Sequence, residues 1–420
     1  MKKRKHLMIG AGAAALSALQ MIKSIAPDDE VALVTKEDHL PYSPTALPYL
    51  LSGRIARHSV WLREESYFKK AGAVLMQGRE VVEVDPAKKT VAFSKGKKES
   101  YDTLLIATGS DAVGPSVRGG ADFLKFHTLA DCERLVQQVQ GKKEVLIHGG
   151  GLVAMETAMA LLERGCSVKV VVRSRILRKY FDEEAAGIIE DIFTERGAEI
   201  FSGHSMVALS QKDGAVGASL EDGTTVTGQL FVNCTGVKPR VDFLAGIGLS
   251  MGQGIVTDTR LMTNLEDIYA AGDAAEAPEF FTSEAGLSAI LLSAVNQGKL
   301  AGANMCGQER HYRGWIGVNR LPFFGNVAES LGIGAGSEER FSILKDVNRE
   351  TRQFKKLAFD GEHLVGATFI NCGTNLGPFY QIIERKLDVS KHRDILFDRP
   401  FETSIWLVRE DERKATHLSV

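Results

Sequence analysis

No apolar stretch of the chain reaches the ~20 residues that a membrane span needs. A soluble, cytoplasmic protein without a membrane partner is therefore expected. Nor is there an excess of either charge. A formal net charge of -2 over 420 residues gives no general affinity for nucleic acid or anionic surfaces. Cysteine is sparse, limited to Cys132, Cys166, Cys234, Cys306 and Cys372. No two of these make a CxxC-type pair, and no four have iron–sulfur spacing. They read as small buried side chains in a reducing compartment, and no metal site is expected. Low-complexity linkers are missing as well.

What is present is an ordinary globular mixture, 44% hydrophobic and 25% charged, able to bury several cores. The length leaves room for about two to four domains. Lys2, Lys3, Arg4 and Lys5 precede an apolar run from Leu7 to Leu19, which imitates a secretory signal. A strand at His6–Ile9, a glycine turn and an alanine-rich helix explain the same run. That reading also explains the glycines, which a signal does not require.

Two segments repeat one design. Residues 6–37 run strand, glycine turn, helix to about Ile25, and strand Val31–Thr35. Residues 144–173 do the same, with a strand Val145–His148, a helix to about Arg164 and a strand Ser167–Val172. Apolar strands alternating with helices indicate parallel sheets of βαβ units. The duplication suggests two separate nucleotide sites. Between the repeats, Gly72–Asp85 and Lys89–Phe93 read as strands joined by a turn, followed by an apolar strand within Tyr101–Gly109. Similar punctuation recurs at Phe231–Gly236 and Ile268–Asp273. From about Arg313 short β-type runs (Phe341–Lys345, Lys356–Phe359, Leu364–Ile370) and one or two helices suggest an α+β domain.

The first glycine turn has Gly10, Gly12 and Ala15 at the spaced positions of a dinucleotide fingerprint, with Ala13 and Ala14 between. Gly10 permits a sharp exit from the strand, and Gly12 lets backbone approach a pyrophosphate. Ala15 keeps the helix close to the sheet. The helix start offers free N–H groups and a positive dipole end. Glu37, after the next strand, is the favoured acceptor for ribose hydroxyls, with Lys36 and Thr35 as its neighbours. The second turn, Gly149-Gly150-Gly151-Leu152-Val153-Ala154, repeats the spacing. Glu156, read as lying in the first helical turn, is either a capping carboxylate or cofactor-adjacent. Thr263–Asp273 reads as a polar turn, a short apolar strand and then Gly272-Asp273, where a carboxylate at a strand's carboxyl end can hold a sugar-alcohol chain.

In order and spacing, Gly10-Ala-Gly12, Ala107-Thr108-Gly109, Gly149-Gly-Gly151 with Glu156, Cys234-Thr235-Gly236 and Thr263…Gly272-Asp273 resemble the FAD-dependent pyridine nucleotide–disulfide oxidoreductase superfamily. The resemblance implies an α/β protein with two Rossmann-like dinucleotide-binding domains, one nested in the other, and a C-terminal α+β interface domain. Residues 1–115 and 241–312 would bind FAD, 116–240 would bind NAD(P), and 313–420 would form the interface domain of a homo-oligomer. It further implies FAD at Gly10–Ala15, Lys36 or Glu37, Val81, Ala107, Thr108, Gly109, Gly272 and Asp273. NAD(P) would lie at Gly149, Gly150, Gly151, Leu152, Val153, Glu156 and Gly236, with Arg173 and Arg175 near its ribose.

Departures from the family narrow the chemistry. Its disulfide reductases carry two cysteines beside the flavin and its oxidases one, but Pro41-Tyr42-Ser43-Pro44-Thr45-Ala46-Leu47-Pro48 has none. The His-Glu pair that activates the thiol is also missing from Asp398–Ser404. Thiol–disulfide exchange needs a thiolate, so that activity is excluded. No catalytic acid or base can be nominated. Ferredoxin-reductase relatives share Pro41-Tyr42 and Leu51-Ser52-Gly53, although Pro44 and Pro48 replace their usual arginine and lysine. The stretch Pro41–Gly53 and the overall length are similar to the NADH-linked FAD subunits of 2-oxoacid dehydrogenase complexes. That likeness implies iron–sulfur or ferredoxin-like subunits and thiamine-diphosphate-dependent 2-oxoacid oxidoreductase subunits as partners. It favours NAD(H), whereas Arg173-Ser174-Arg175 could bind the extra phosphate of NADP(H). A stand-alone ferredoxin or rubredoxin reductase and a flavin-bearing interaction protein are the competing readings.

Overall fold

A computed structural model describes residues 3–141, 143–334 and 340–417, with side chains to residue 410. Lys2, the first of the basic run, lies outside them. The chain forms two compact units: Met1–Val113 with His127–Glu133 and Gly236–Ile316, and Gly114–Phe126 with Arg134–Thr235 and Gly317–Val420.

The first unit is built on the strand Lys5–Ile9, whose register places Glu30–Val34 on one side and Thr103–Ile106 on the other, all parallel. Ala73–Met76 and Ile268–Ala270 complete a five-stranded sheet. From Leu7 the strand is apolar because both its faces are covered. Met8 joins one buried cluster, Leu7 and Ile9 the other. The helix Ala13–Ile25 lies against the helix Leu291–Met305. At Gly298 a Cβ would fall 2.1 Å from the Ala14 carbonyl oxygen, and at Gly302 2.7 Å from that of Ala18. Only glycine allows that approach. The apolar run Leu7–Leu19 is thus divided between a buried strand and a helix, as the turn-based reading expects.

One expected strand is really two. Ala73–Met76 joins the parallel sheet, whereas Val81–Asp85 pairs antiparallel with Thr90–Phe93 in a separate three-stranded sheet. Gly78 at φ +62 turns the chain between them. Residues 127–133 return to this unit. There Leu129 N–H donates to the Tyr42 hydroxyl at 3.1 Å, and His127 Nε2 lies 2.8 Å from the Ser110 carbonyl oxygen.

The second unit repeats the sheet around Glu144–His148, flanked in parallel by Ser167–Val172 and Leu230–Asn233, with Ala198–Ser202 and Leu124–Lys125 at the edges. The same unit holds a four-stranded sheet of Thr225–Gly228, Ala215–Leu220, Met206–Lys212 and Arg118–Gly119, and an antiparallel five-stranded sheet in the order Val318–Phe323, Asn326–Gly332, His363–Ile370, Gln353–Asp360, Ser342–Asn348. The strand Val318–Phe323 escapes sequence reading because Pro322 interrupts its β pattern. It is tolerated on an edge strand, where its missing N–H costs no ladder bond. Three helices, Leu376–Glu384, Arg393–Asp398 and Thr403–His417, follow where one or two are expected.

Within this unit the acidic helix Glu183–Glu195 faces basic residues of the antiparallel sheet. Lys345 meets Glu184, Arg349 meets Asp191 and Arg352 meets Glu195, all with exposed or half-exposed partners. Lys356 and Asp182 form the buried member of the row, 3.1 Å apart, with the lysine side chain 3% exposed. Asp182 also caps the helix by accepting the Ala185 N–H. The chain is therefore α/β, with two Rossmann-like dinucleotide-binding folds and a C-terminal α+β part. Among the described residues no helix is long and apolar enough to cross a membrane.

Candidate functional site

The first glycine turn forms an open cradle. Gly10 leaves its strand at φ +114, and a Cβ there would lie 2.1 Å from the Ala107 carbonyl oxygen, so no other residue fits. Gly12 caps the helix without any side-chain bond, and nothing lies within 4 Å of the place its Cβ would occupy. Bare backbone and the free N–H groups of a helix start thus face open space, as a pyrophosphate requires. Ala14 and Ala15 are buried behind the turn.

Beside it a cleft of about 220 Å³ is lined by Gly10, Thr35, Lys36, Val81 and Thr108, among others. Four of these are expected site residues, but Glu37 is absent from the lining. Its Oε1 accepts a long bond, 3.5 Å, from the Tyr42 hydroxyl. Arg79, Arg240, Asp242 and Phe243 also line the cleft, and sequence reading missed all four. Arg240 holds the cleft wall together. Its Nε donates to Asp111 Oδ2 at 3.0 Å, and its Nη groups donate to the Thr108 and Ser110 carbonyls. In return Thr108 Oγ1 donates to the Arg240 carbonyl at 2.7 Å. The guanidinium holds the Asp111 carboxyl below its usual range. No spacing signal marks Arg240, because its partners lie about 130 residues away.

Asp273 lies in a single helical turn, Gly272–Ala274, after the strand Ile268–Ala270. The Ser110 hydroxyl donates to Asp273 Oδ2 at 2.7 Å, and Gln297 Oε1 accepts the Gly272 N–H at 2.7 Å. The first bond holds one oxygen of the Asp273 carboxylate, and the second fixes the backbone just before it. Gly109, at φ +70, accepts the Arg240 N–H.

The second turn copies the first. Gly149 sits at φ +125 with a notional Cβ 2.4 Å from the Cys234 carbonyl oxygen. Gly151 caps the helix Leu152–Glu163 over open space, and Val153 is exposed in its first turn. Gly150 has a different duty. A Cβ there would meet Val172 Cγ2 at 2.5 Å, so it sets the distance to the next strand.

Glu156 corrects an expectation. The helix begins at Leu152 and has no acid in its first turn, so Glu156 lies past the capping positions. Burial pushes its carboxyl up to about 7. Arg175 is engaged elsewhere, donating from Nη2 to the Phe181 carbonyl at 2.7 Å and from Nη1 to that of Ile176. Arg173 is exposed just past its strand. Gly236 falls in the first unit, where its carbonyl accepts the Val113 N–H.

Thiol chemistry has no foothold. The cysteines are all free. Burial pushes Cys234 up to about 12 and Cys306 to about 11, and it raises Cys166 and Cys372. Where relatives could carry a reactive cysteine, this chain has a tight turn at Pro44–Ala46 and a short helix Leu47–Ser52, ended by Gly53 at φ +82.

The sequence pattern of the family described as pyridine nucleotide-disulphide oxidoreductase matches residues 4–297. The chain belongs to that family. It is 33% identical over 403 residues to the epsilon subunit of NADH-dependent phenylglyoxylate dehydrogenase from Aromatoleum evansii, covering 94% of this chain and 95% of the relative. It is 25% identical to an NADH-rubredoxin oxidoreductase from Clostridium acetobutylicum, over 74% of this chain and 77% of that one. Among solved structures it is similar to a ferredoxin reductase from Rhodopseudomonas palustris. That likeness has a TM-score of 0.81 and 25% identity, covering 88% of this chain and 91% of the other. The family binds FAD and NAD(P)H. The protein is an NAD(P)H oxidoreductase with an electron-transfer role, and it works without a redox-active disulfide.

Proposed function

We propose that the protein is the FAD-bearing electron-transfer subunit of a phenylglyoxylate-type 2-oxoacid:NAD oxidoreductase that forms CoA thioesters. Bound FAD supplies a centre that exchanges hydride with nicotinamide and single electrons with iron–sulfur clusters. The observation that carries this reading is the pair of open glycine cradles in a chain whose cysteines are all free, four of them with thiols that desolvation holds above their ordinary range. Such a chain has two nucleotide seats and no thiol acceptor of its own, which supports transfer of the electrons to a separate carrier. Gly10–Ala15, Ala107–Gly109, Lys36, Val81 and Asp273 are assigned to FAD, with Glu37 held by Tyr42 at the cleft's edge. Gly149–Val153 and Glu156 are assigned to the nicotinamide nucleotide. The chain's part in catalysis is orientation.

NAD(H) is the proposed nucleotide. Arg175, one of the two cations that could seat an extra phosphate, is committed to main-chain carbonyls. The name of the phenylglyoxylate dehydrogenase relative supports the same choice, and its being one subunit suggests partner chains; subunits with iron–sulfur clusters and thiamine diphosphate are proposed for that part. A stand-alone rubredoxin or ferredoxin reductase is the second reading, favoured by the other two relatives. The FAD-loaded protein is expected to reduce a ferredoxin-like subunit of a 2-oxoacid oxidoreductase with NADH, faster than with NADPH. Faster turnover of free rubredoxin, with no transfer to that subunit, would select the second reading.

A further inference from the structure

Away from the nucleotide cradles, the first unit gathers three different donors at the amino end of its parallel sheet. His6 is on the first strand and is fully buried. Asp29 lies in the turn before the second strand. Cys306 follows the helix Leu291–Met305 directly. One His nitrogen, one carboxylate oxygen and the sulfur lie within 4.8 Å of one another. We propose that His6, Asp29 and Cys306 form a binding site for a zinc-type divalent cation. The site is empty here.

The donor set points to that class of ion. An imidazole nitrogen, a carboxylate and a thiolate together suit a borderline-soft, tetrahedral cation better than Mg²⁺ or Ca²⁺, which prefer oxygen alone. The imidazole is already supported from behind, with Thr103 Oγ1 2.7 Å from its Nδ1. When Nδ1–H donates to that hydroxyl, the Nε2 lone pair points at Asp29 Oδ2, 3.0 Å away. A cation between the two atoms resolves their opposition, and an outer partner on the second nitrogen is the usual support of a metal-bound imidazole. The other oxygen of Asp29 is fixed by the Arg4 N–H. Asp29 is 14% exposed, which leaves an entry path for the ion. In a tetrahedral site neighbouring donors are about 3.3–3.6 Å apart. With all donors within 4.8 Å, the sulfur has to move inward by about 1 Å at most, within reach of a side-chain rotation. Binding replaces the thiol proton with the metal and releases that proton to solvent. The Arg4 guanidinium, bonded to the Met305 carbonyl, opposes the added charge and weakens the site.

The ligands come from two of the three stretches of chain that make up this unit, the first and the last. A bound ion would staple the first βαβ segment to the helix that returns after the insertion. His6 lies at the opposite end of its strand from Gly10, about 13 Å away at 3.3 Å per residue. FAD binding should therefore be indifferent to the ion.

The test uses the purified, FAD-loaded full chain, stripped with chelator and titrated with Co²⁺. One equivalent should give the red-region d–d bands of tetrahedral cobalt, outside the absorption of oxidised flavin. Zn²⁺ should displace it and raise the melting temperature. Cys306→Ser should keep its FAD and its melting temperature in chelator but lose these bands and the zinc-induced rise. If the variant misfolds, the wild type still decides the matter, because Zn²⁺ should slow alkylation of Cys306 in peptide mass spectrometry. Octahedral cobalt spectra, bands unchanged in Cys306→Ser, or alkylation indifferent to Zn²⁺ would overturn the proposal.

Discussion

The two glycine cradles are near copies in backbone and opposites in surroundings. Both exit a strand at a strongly positive φ, with a carbonyl oxygen occupying the space a Cβ would need, and both present an uncapped helix start to open space. The first is braced by polar side chains: Arg240 with Asp111, and Ser110 with Asp273. The second is braced mainly by packing, with Gly150 against Val172, the half-buried Glu156 and Cys234 behind it, and the neutral His148–Asn233–Thr235 contacts beside it. A cofactor that stays bound gains from fixed hydrogen bonds. A nucleotide that must come and go needs a shaped backbone and fewer polar anchors.

The sharpest way to break this comparison is to add one methyl group to each turn. Gly10→Ala should yield protein without flavin. Gly149→Ala should keep FAD while NADH-driven flavin reduction falls roughly 100-fold, as read by stopped flow. Loss of flavin in both variants would mean that the cradles are not independent. Lys356→Met comes next in size. It leaves Asp182 buried without its cation and should cost about 3 kcal/mol in denaturant unfolding, whereas Arg352→Ala on the exposed end of the same row should cost about 0.5 kcal/mol or less.

Glu156 sharpens the contrast through pH. Its folded value, about 7, lies above its ordinary 4.5, so the fold favours the protonated form. The carboxyl costs nothing below the ordinary value and destabilises increasingly as pH rises through about 7. Glu156→Gln should therefore stabilise the protein at pH 8 by roughly 2 kcal/mol and hardly at all near pH 4, measured by urea unfolding at both values. An equal effect at the two pH values would remove the burial argument.

Much of this was legible in the chain. Gly10 and Gly149 carry their own explanation, since a clash with a main-chain carbonyl fixes the residue type, and Gly12 and Gly151 follow from the fingerprint spacing and the open space before each helix. The strand beginning at Ile268 and its Gly272-Asp273 terminus were readable from sequence pattern as well. Arg240 was not, because its value comes from carbonyls and a carboxylate that only the fold brings near. Arg175 could be seen but not interpreted, as nothing local shows that its donors turn to the Phe181 carbonyl. The strand Val318–Phe323 was hidden by Pro322, which an edge position tolerates.

The most direct measurement is anaerobic mixing of the FAD-loaded chain, alone, with NADH. Because both nucleotide seats belong to one polypeptide, the flavin should bleach in a single turnover without any partner subunit. A chain that holds stoichiometric FAD yet stays yellow under excess NADH would contradict the account.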